Sequence, residues 1–438
     1  MKFRLLIVLA AFALLVPQTV RAERHVKMVA RCCPFCSAPS LTLSEQLTAA
    51  DAAVLVQWVE GKAPEEKSAG STTYSIIEVA RGPKDKLKKD DKITVPRFRA
   101  GKKGDLFMLF GTKDKEIDWS SPLEVTETTY QYIVQAPSPE SMPGKRLEYF
   151  LKFLEFSDQL VANDAYGEFA NAPYEEIVKI NEKMDREKIR KWVSNKETAP
   201  TRLGLYGLLL GLCGNDDDAK MMAAKIDEQV QDFRLGIDGL ISGYLLLTGD
   251  KGLDVIDKGK LKDKKVPFSE TYAAMQALRF MWTYGNGRIS KERLRQSMRE
   301  LLDRPELADL VVADLARWED WTVQDRLMKL YGEGDYNIPS IKRAIVRYLL
   351  TAAKIAPPNV NAKPEDKAGD KPKVEVKSTE VAKVETKSGE TTQGNKPAEV
   401  VKPEAASPAA LQARANLEKL REKDPKTVKE AERFFFLQ

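Results

Sequence analysis

The sequence contains one histidine, His25, and four cysteines in 438 residues. Ser-His-Asp and Cys-His catalytic groups need a histidine held in a folded site, whereas His25 lies close to the predicted start of the mature chain. Zinc-protease and facial-triad metal sites need two histidines, so both are excluded. No P-loop or Gly-x-Gly-x-x-Gly pattern follows a predicted strand. We therefore expect a protein that is not an enzyme and that holds neither a metal nor a cofactor.

A large excess of one charge and long apolar runs are also missing. The 70 basic and 65 acidic residues leave a net charge of +5, without the clustered basic face of a nucleic-acid-binding protein. The apolar run of residues 5–16 is too short to span a bilayer comfortably. Together with Lys2, Arg4 and Val20-Arg-Ala22 it predicts a secretory signal over residues 1–22. We expect export to the periplasm or the extracellular medium, with no membrane span after cleavage; a retained membrane anchor is the alternative.

Three cysteines fall within the segment Cys32-Cys-Pro-Phe-Cys36. Export permits disulfides, so Cys32, Cys33 and Cys36 are candidates for a structural disulfide. A thiol redox or metal-carrying role and free thiols are the alternatives. Attachment of a c-type haem would need a histidine where Ser37 stands. The fourth cysteine, Cys213, lies in an apolar helical segment and is expected to be a buried core thiol.

Residues 23–140 predict a small β domain. Apolar and β-branched segments alternate with Gly, Pro and charged turns, which is typical of a closed barrel or a sandwich. The expected strands lie within residues 49–59, 72–79, 92–95, 105–111, 123–125 and 130–134.

The order of these segments resembles a known family. Early cysteines are followed by ADAAVLVQWVEG, YSIIEVARGP, KITV and KKGDLFMLFG. Over residues 32–135 this order is similar to the netrin-like, OB-type barrel of tissue inhibitors of metalloproteases, and the resemblance implies the barrel fold. In that family a cysteine at the mature N-terminus chelates the protease zinc. Because Cys32 lies about ten residues beyond the predicted cleavage, we carry over the fold, and protease inhibition is an alternative function.

Residues 145–356 predict an array of helical repeats. Leu203–Gly214 and Leu235–Gly249 share a pattern of leucines and glycines and start roughly 30 residues apart, a spacing typical of stacked helical units. Comparable apolar helices are expected to begin near Glu270, Leu307 and Ile338. The array resembles the HEAT-like class of α-solenoids. Such arrays bury a continuous core between neighbours and present an extended binding surface.

Two sets of residues in the array are candidates for binding a protein partner. Trp318 and Trp321 flank charged residues, and tryptophan is enriched at binding hot spots; packing in the core is the alternative. The most basic helix carries the second set, Arg288, Arg293, Arg295 and Arg299. The first interpretation of this set is a solvated face of one repeat, and a docking surface for an acidic ligand is the alternative.

The C-terminal part of the chain changes composition twice. Residues 357–408 contain no aromatic residue, leucine or isoleucine, which predicts a disordered linker. Residues 409–438 regain helical periodicity and end in the apolar cluster Phe434, Phe435 and Phe436, which we expect to fold back onto the array or to bind a partner. The sequence therefore predicts an α+β multidomain protein that is an exported, non-enzymatic scaffold binding a protein partner, whose identity and oligomeric state it leaves open.

Overall fold

The computed structural model describes Phe35 and residues 41–66, 68–83, 85–228, 233–354 and 406–435. The predicted signal segment, Cys32, Cys33 and Cys36, and nearly all of the predicted linker 357–408 lie outside these described residues. Within them, an antiparallel sheet near the N-terminus is followed by many helices. The chain therefore has the α+β organisation that the sequence predicts.

Six antiparallel strands form one open sheet. Their order is β3-β2-β1-β4-β5, and β6 also pairs with β4. The strands are β1 (Ala52–Lys62), β2 (Ser71–Arg81), β3 (Lys92–Val95), β4 (Leu106–Lys113), β5 (Ile117–Trp119) and β6 (Leu123–Glu124). In the described residues β3 and β5 lie at the two ends of this order, and no pairing joins β3 to β5 or β6. The prediction of a closed barrel is therefore wrong.

The sheet buries side chains on both of its faces, following the period of two along each strand. Val54 and Val56 of β1 share one face with Tyr74 of β2. Leu55 of β1 and Met108 of β4 point to the other face. Helices α1 (Leu43–Ala49) and α2 (Glu127–Gln135) cover that second face and connect the sheet to the helical part of the chain.

Residues 130–134 were predicted to form a strand, and this prediction is wrong because they lie within helix α2. The hydroxyl of Thr126 caps the helix by accepting a hydrogen bond from the Thr129 N–H at 3.0 Å. Tyr130 and Ile133 then lie on the same face of the helix and are both buried. The cap and this burial outweigh the intrinsic preference of Tyr-Gln-Tyr-Ile-Val for a strand.

Thirteen helices occupy the described residues between the sheet and residue 354. They are α3 (Pro143–Phe150), α4 (Gln159–Asn171), α5 (Tyr174–Lys179), α6 (Arg186–Ser194), α7 (Leu203–Cys213), α8 (Asp216–Asp227), α9 (Ile237–Thr248), α10 (Asp250–Ile256), α11 (Phe268–Tyr284), α12 (Lys291–Glu300), α13 (Ala308–Arg317), α14 (Gln324–Leu330) and α15 (Pro339–Ala352). Helices α11, α13 and α15 begin close to the positions expected from the repeat.

Helices α7 and α9 form the tightest contact of the array. Gly204, Gly207 and Gly211 of α7 lie against Gly239 and Gly243 of α9, and the two helices run parallel. An ideal Cβ placed on Gly243 would lie only 1.9 Å from the carbonyl oxygen of Gly207. Only glycine allows backbones to approach this closely. The repeated glycine pattern therefore sets two equivalent helices of successive units side by side.

A C-terminal helical hairpin packs on the last helix of the array. It consists of α16 (Pro408–Lys423) and α17 (Pro425–Phe435), and both helices contact α15. Leu417, Leu420 and Val428 are buried in the shared core. Asp424, between the two helices, accepts a hydrogen bond from the Lys342 ammonium at 2.8 Å, which lowers the pKa of this carboxyl to about 2. The hairpin thus covers a face of α15.

Candidate partner-binding site

The two tryptophans proposed as binding anchors lie mostly inside the protein. Trp318 is only 4% exposed, and its ring stacks on Trp282 with centroids 4.4 Å apart. Trp321 is half-buried and its ring tilts against Tyr348 at 5.2 Å. Trp318 therefore joins α11 to the end of α13, and the alternative of core packing describes it.

The four arginines of the basic segment bind neighbouring elements of the same chain. Two of them donate to backbone carbonyls: Arg288 to that of Leu247 at 2.6 Å and Arg295 to that of Trp318 at 2.9 Å. The other two donate to carboxylates. Arg293 contacts Asp254 at 2.6 Å and Asp257 at 2.8 Å, and Arg299 contacts Asp320 at 2.6 Å. The bond to Asp320 raises the pKa of Arg299 further above its usual value. These arginines hold successive units together, and their partners lie too far away in sequence for the local pattern to reveal them.

Other predicted site residues fall at the limits of the described chain. Phe434 and Phe435 lie in α17, but their side chains are outside the described residues, as is all of Phe436. Phe35, from the segment between Cys33 and Cys36, packs its ring 5.1 Å from that of Phe280 in α11. The disulfide prediction for Cys32, Cys33 and Cys36 concerns residues outside the description.

A groove of about 480 Å³ lies between helices α13 and α15. Its floor is apolar and consists of small side chains, Ala313, Ala316 and Ala344, beside the larger Leu310. Leu310 is 37% exposed and adds apolar surface at the edge of this floor. The small floor residues leave space for side chains from another molecule between the two helices.

Arginines form the rim of this α13–α15 groove. Arg317 pairs with the buried Asp314 of the same helix, Arg343 approaches Glu430 of α17 at 3.6 Å, and Arg347 is exposed. One acidic residue, Asp309, is among the lining residues. Three arginines and one carboxylate thus line the groove beside its apolar floor, and Asp314 and Glu430 offset part of the positive charge. Arg343 and Arg347 are four residues apart on α15, a spacing that places both on one helical face and could have indicated the site.

A second cavity, of about 650 Å³, lies where the sheet meets helices α1 and α4. The carboxylate of Asp164 accepts hydrogen bonds from the Leu43 N–H and the Tyr132 hydroxyl, both at 2.7 Å. One turn along α4, Glu168 forms a buried ion pair with Arg146. Both oxygens of Asp164 are thus occupied by the protein itself, so this carboxyl positions α1 against α4.

Asp164 makes the stability of the fold depend on pH. Burial raises the pKa of its carboxyl to about 6, from an ordinary value of 3.8. The folded protein then keeps a proton that the unfolded chain releases, so this contribution to stability is complete below about pH 4 and is lost as the pH rises through 6. We expect the free energy of unfolding of the wild type to fall by an amount on the order of 2 kcal/mol between pH 4 and pH 7 because of this group, and Asp164→Asn to abolish this fall.

Urea unfolding of the wild type and Asp164→Asn at a series of pH values measures this contribution. The exposed Asp335→Asn serves as the matched control, because it makes the same chemical change away from the cavity. A wild-type curve parallel to that of Asp164→Asn across this range would contradict the assignment.

The described residues contain no group of three or more His, Cys, Asp or Glu side chains arranged to hold a metal ion. Cys213 is a free thiol, and burial raises its pKa to about 11, which keeps it protonated at neutral pH. Within the same described part of the chain, every helix is either too short or too polar to cross a bilayer.

No protein-family model, curated sequence or solved structure matches this chain.

Proposed function

We propose that this chain is an exported, non-catalytic scaffold that binds an acidic protein segment in the α13–α15 groove. The groove carries the proposal because it combines an apolar floor with a rim of three arginines on the surface of the helical array. An amphipathic helix with leucines on one side and glutamates at its edges matches both features. Helix-in-groove binding of this kind uses apolar anchors for affinity and rim charges for orientation.

The repeat architecture supports the same proposal. Equivalent helices pack side by side in α7 and α9 and again in α13 and α15, as in HEAT-like solenoids, which bind partners along their surface. A netrin-like origin of the sheet is part of this proposal, and its open form is a departure from the barrel of that family. Thiol chemistry at Cys32, Cys33 and Cys36 and protease inhibition remain alternatives that depend on residues outside the described part.

Charge reversal at the rim tests the groove. The probe is a synthetic amphipathic helix with leucines on one face and glutamates on the other, carrying a fluorophore for anisotropy. We expect Arg347→Glu to weaken its binding at least about tenfold, because one attractive charge becomes repulsive. Ala313→Glu, on the exposed floor, is expected to do the same by adding both bulk and negative charge.

Matched controls separate the groove from the general charge of the protein. Lys89→Glu makes the same change of charge on an exposed turn of the sheet and should leave the affinity unchanged. A peptide with lysines in place of the glutamates should bind weakly to the wild type. Equal affinity of Arg347→Glu, Ala313→Glu and the wild type for the acidic peptide would refute the proposed site.

A further inference from the structure

Four large apolar side chains are exposed around one buried cluster of charges. Phe233 is 66% exposed, Val255 52%, Phe268 48% and Leu235 44%. Exposed apolar residues that are scattered singly need no explanation, whereas a group of them marks a surface that contacts another molecule or a membrane.

Buried charges hold together the chain segments that carry Phe233, Leu235 and Phe268. Arg234 turns inward between Phe233 and Leu235, and its Nε donates to Glu270 at 2.8 Å. Lys260 donates to the same carboxylate at 2.9 Å. Phe268 lies two residues before Glu270 at the start of α11. The segments around residues 234, 260 and 268 therefore converge on Glu270, with their apolar neighbours facing outward.

A groove of about 830 Å³ extends this surface between α8, α9 and α10. Ile226, Tyr244 and Val255 are among its lining residues, together with Lys258 and Lys260. The segment Asp257–Leu261 is a π-helical turn, which is frequent at functional sites and here leaves Lys258 exposed while Lys260 is buried.

Exposed lysines lie within and directly after the segment that lines the groove. The sequence from Lys258 to Lys265 carries five lysines, of which Lys258, Lys262, Lys264 and Lys265 are exposed. Asp227, Asp254 and Asp263 also line the groove, and the charge of Asp254 is offset by Arg293 at 2.6 Å. The surface thus combines protruding aromatic and aliphatic side chains with ammonium groups at their edge.

We propose that this surface, formed by Phe233, Leu235, Val255 and Phe268 with Lys258, Lys264 and Lys265, docks on an anionic phospholipid bilayer. The apolar side chains enter the headgroup region and the lysines contact lipid phosphates, the two contributions that hold peripheral proteins at membranes. Phe233 and Leu235 lie in a loop, and Phe268 lies at a helix start, where its exposed ring stacks on that of Tyr272. Apolar side chains on separate segments can enter a deformable lipid bilayer without the fixed complementary surface that a protein partner would need. The activity goes beyond the binding proposed for the α13–α15 groove.

Co-sedimentation of the full chain with vesicles tests the proposal. The vesicles are phosphatidylcholine alone or phosphatidylcholine mixed with phosphatidylglycerol. We expect binding to the mixed vesicles, weakened by added salt, and little binding to phosphatidylcholine alone. Phe233→Ser with Phe268→Ser, and separately Lys258→Gln with Lys264→Gln and Lys265→Gln, should each reduce binding at least about tenfold.

Two controls and the groove variant complete the design. Leu411→Ser changes an apolar residue that is 56% exposed on α16, and Lys89→Gln with Lys103→Gln removes charges near the sheet; both should bind like the wild type. Arg347→Glu should also keep vesicle binding, which separates this result from the fate of the groove. No binding of the wild type to mixed vesicles, or unchanged binding of both surface variants, overturns the proposal. Cross-linking of this surface to a protein without vesicle binding also overturns it, in favour of a protein partner.

Discussion

Replacing Gly243 with alanine is expected to lower the free energy of unfolding by about 3 kcal/mol or more. The added Cβ would lie 1.9 Å from the carbonyl oxygen of Gly207 and 2.7 Å from the carbonyl carbon. Both are backbone atoms, so no change of side-chain rotamer relieves the overlap and α9 has to move away from α7. The loss of packing between two buried helices exceeds the gain of about 1 kcal/mol in helix propensity.

Urea unfolding followed by far-UV circular dichroism measures this change, with Gly167→Ala as the matched control. Gly167 lies within α4, where an added Cβ would meet Thr42 at 3.6 Å, an ordinary contact. We expect Gly167→Ala to be as stable as the wild type or up to about 1 kcal/mol more stable. If Gly243→Ala unfolds at the same urea concentration as Gly167→Ala, helices α7 and α9 are not in backbone contact.

The glycine pattern also explains why the array could be predicted from the sequence. Glycine lowers the stability of a helix, so the same pattern of three glycines in two successive apolar segments indicates that the helices approach each other closely. Gly204, Gly207 and Gly211 repeat at Gly236, Gly239 and Gly243, and the structure packs the two sets together. The glycine pattern could be interpreted from the sequence because the local spacing of the glycines and the contact between the two helices require the same residue type.

The sheet was only partly predictable, for reasons that lie outside its strands. Five of the six expected strand segments contain strands, but whether a sheet closes depends on the length and position of its edges, which local alternation does not encode. Residues 130–134 have a strong strand composition, yet the cap at Thr126 and burial against the sheet make them helical. The short strand β5 has too few residues to produce a recognisable pattern.

The candidate site was the least predictable part. An arginine that faces a ligand and an arginine that binds a neighbouring repeat look the same in the sequence. Arg299 binds Asp320, whereas Arg347 is exposed at the groove. Which arginine binds within the chain and which faces solvent depends on how α12 packs against α13 and how α13 packs against α15. Trp318 illustrates the same limit, because its partner Trp282 belongs to another unit.

Ending the chain at Ala356 is expected to lower the free energy of unfolding by roughly 3 kcal/mol. The truncation removes Leu417, Leu420 and Val428, each of which contributes roughly 1.5–3 kcal/mol by burial, and the entropy cost of ordering the hairpin offsets part of this sum. It also uncovers a face of α15, so the truncated protein should self-associate more strongly than the full chain. Urea unfolding and analytical ultracentrifugation measure the two effects.

A deletion of residues 366–395 provides the matched control, because it shortens the chain before the hairpin and keeps both α16 and α17. This deletion should leave the urea midpoint unchanged, since loop length affects stability only weakly. Adding a peptide of residues 406–438 to the truncated protein should restore the midpoint in a saturable manner, because a ligand that binds only the folded state stabilises it. A truncated chain as stable and as monomeric as the full chain would instead mean that the hairpin contributes nothing to the folded array. The contacts of Asp424 with Lys342 and Tyr331 would then be too weak to hold it in place.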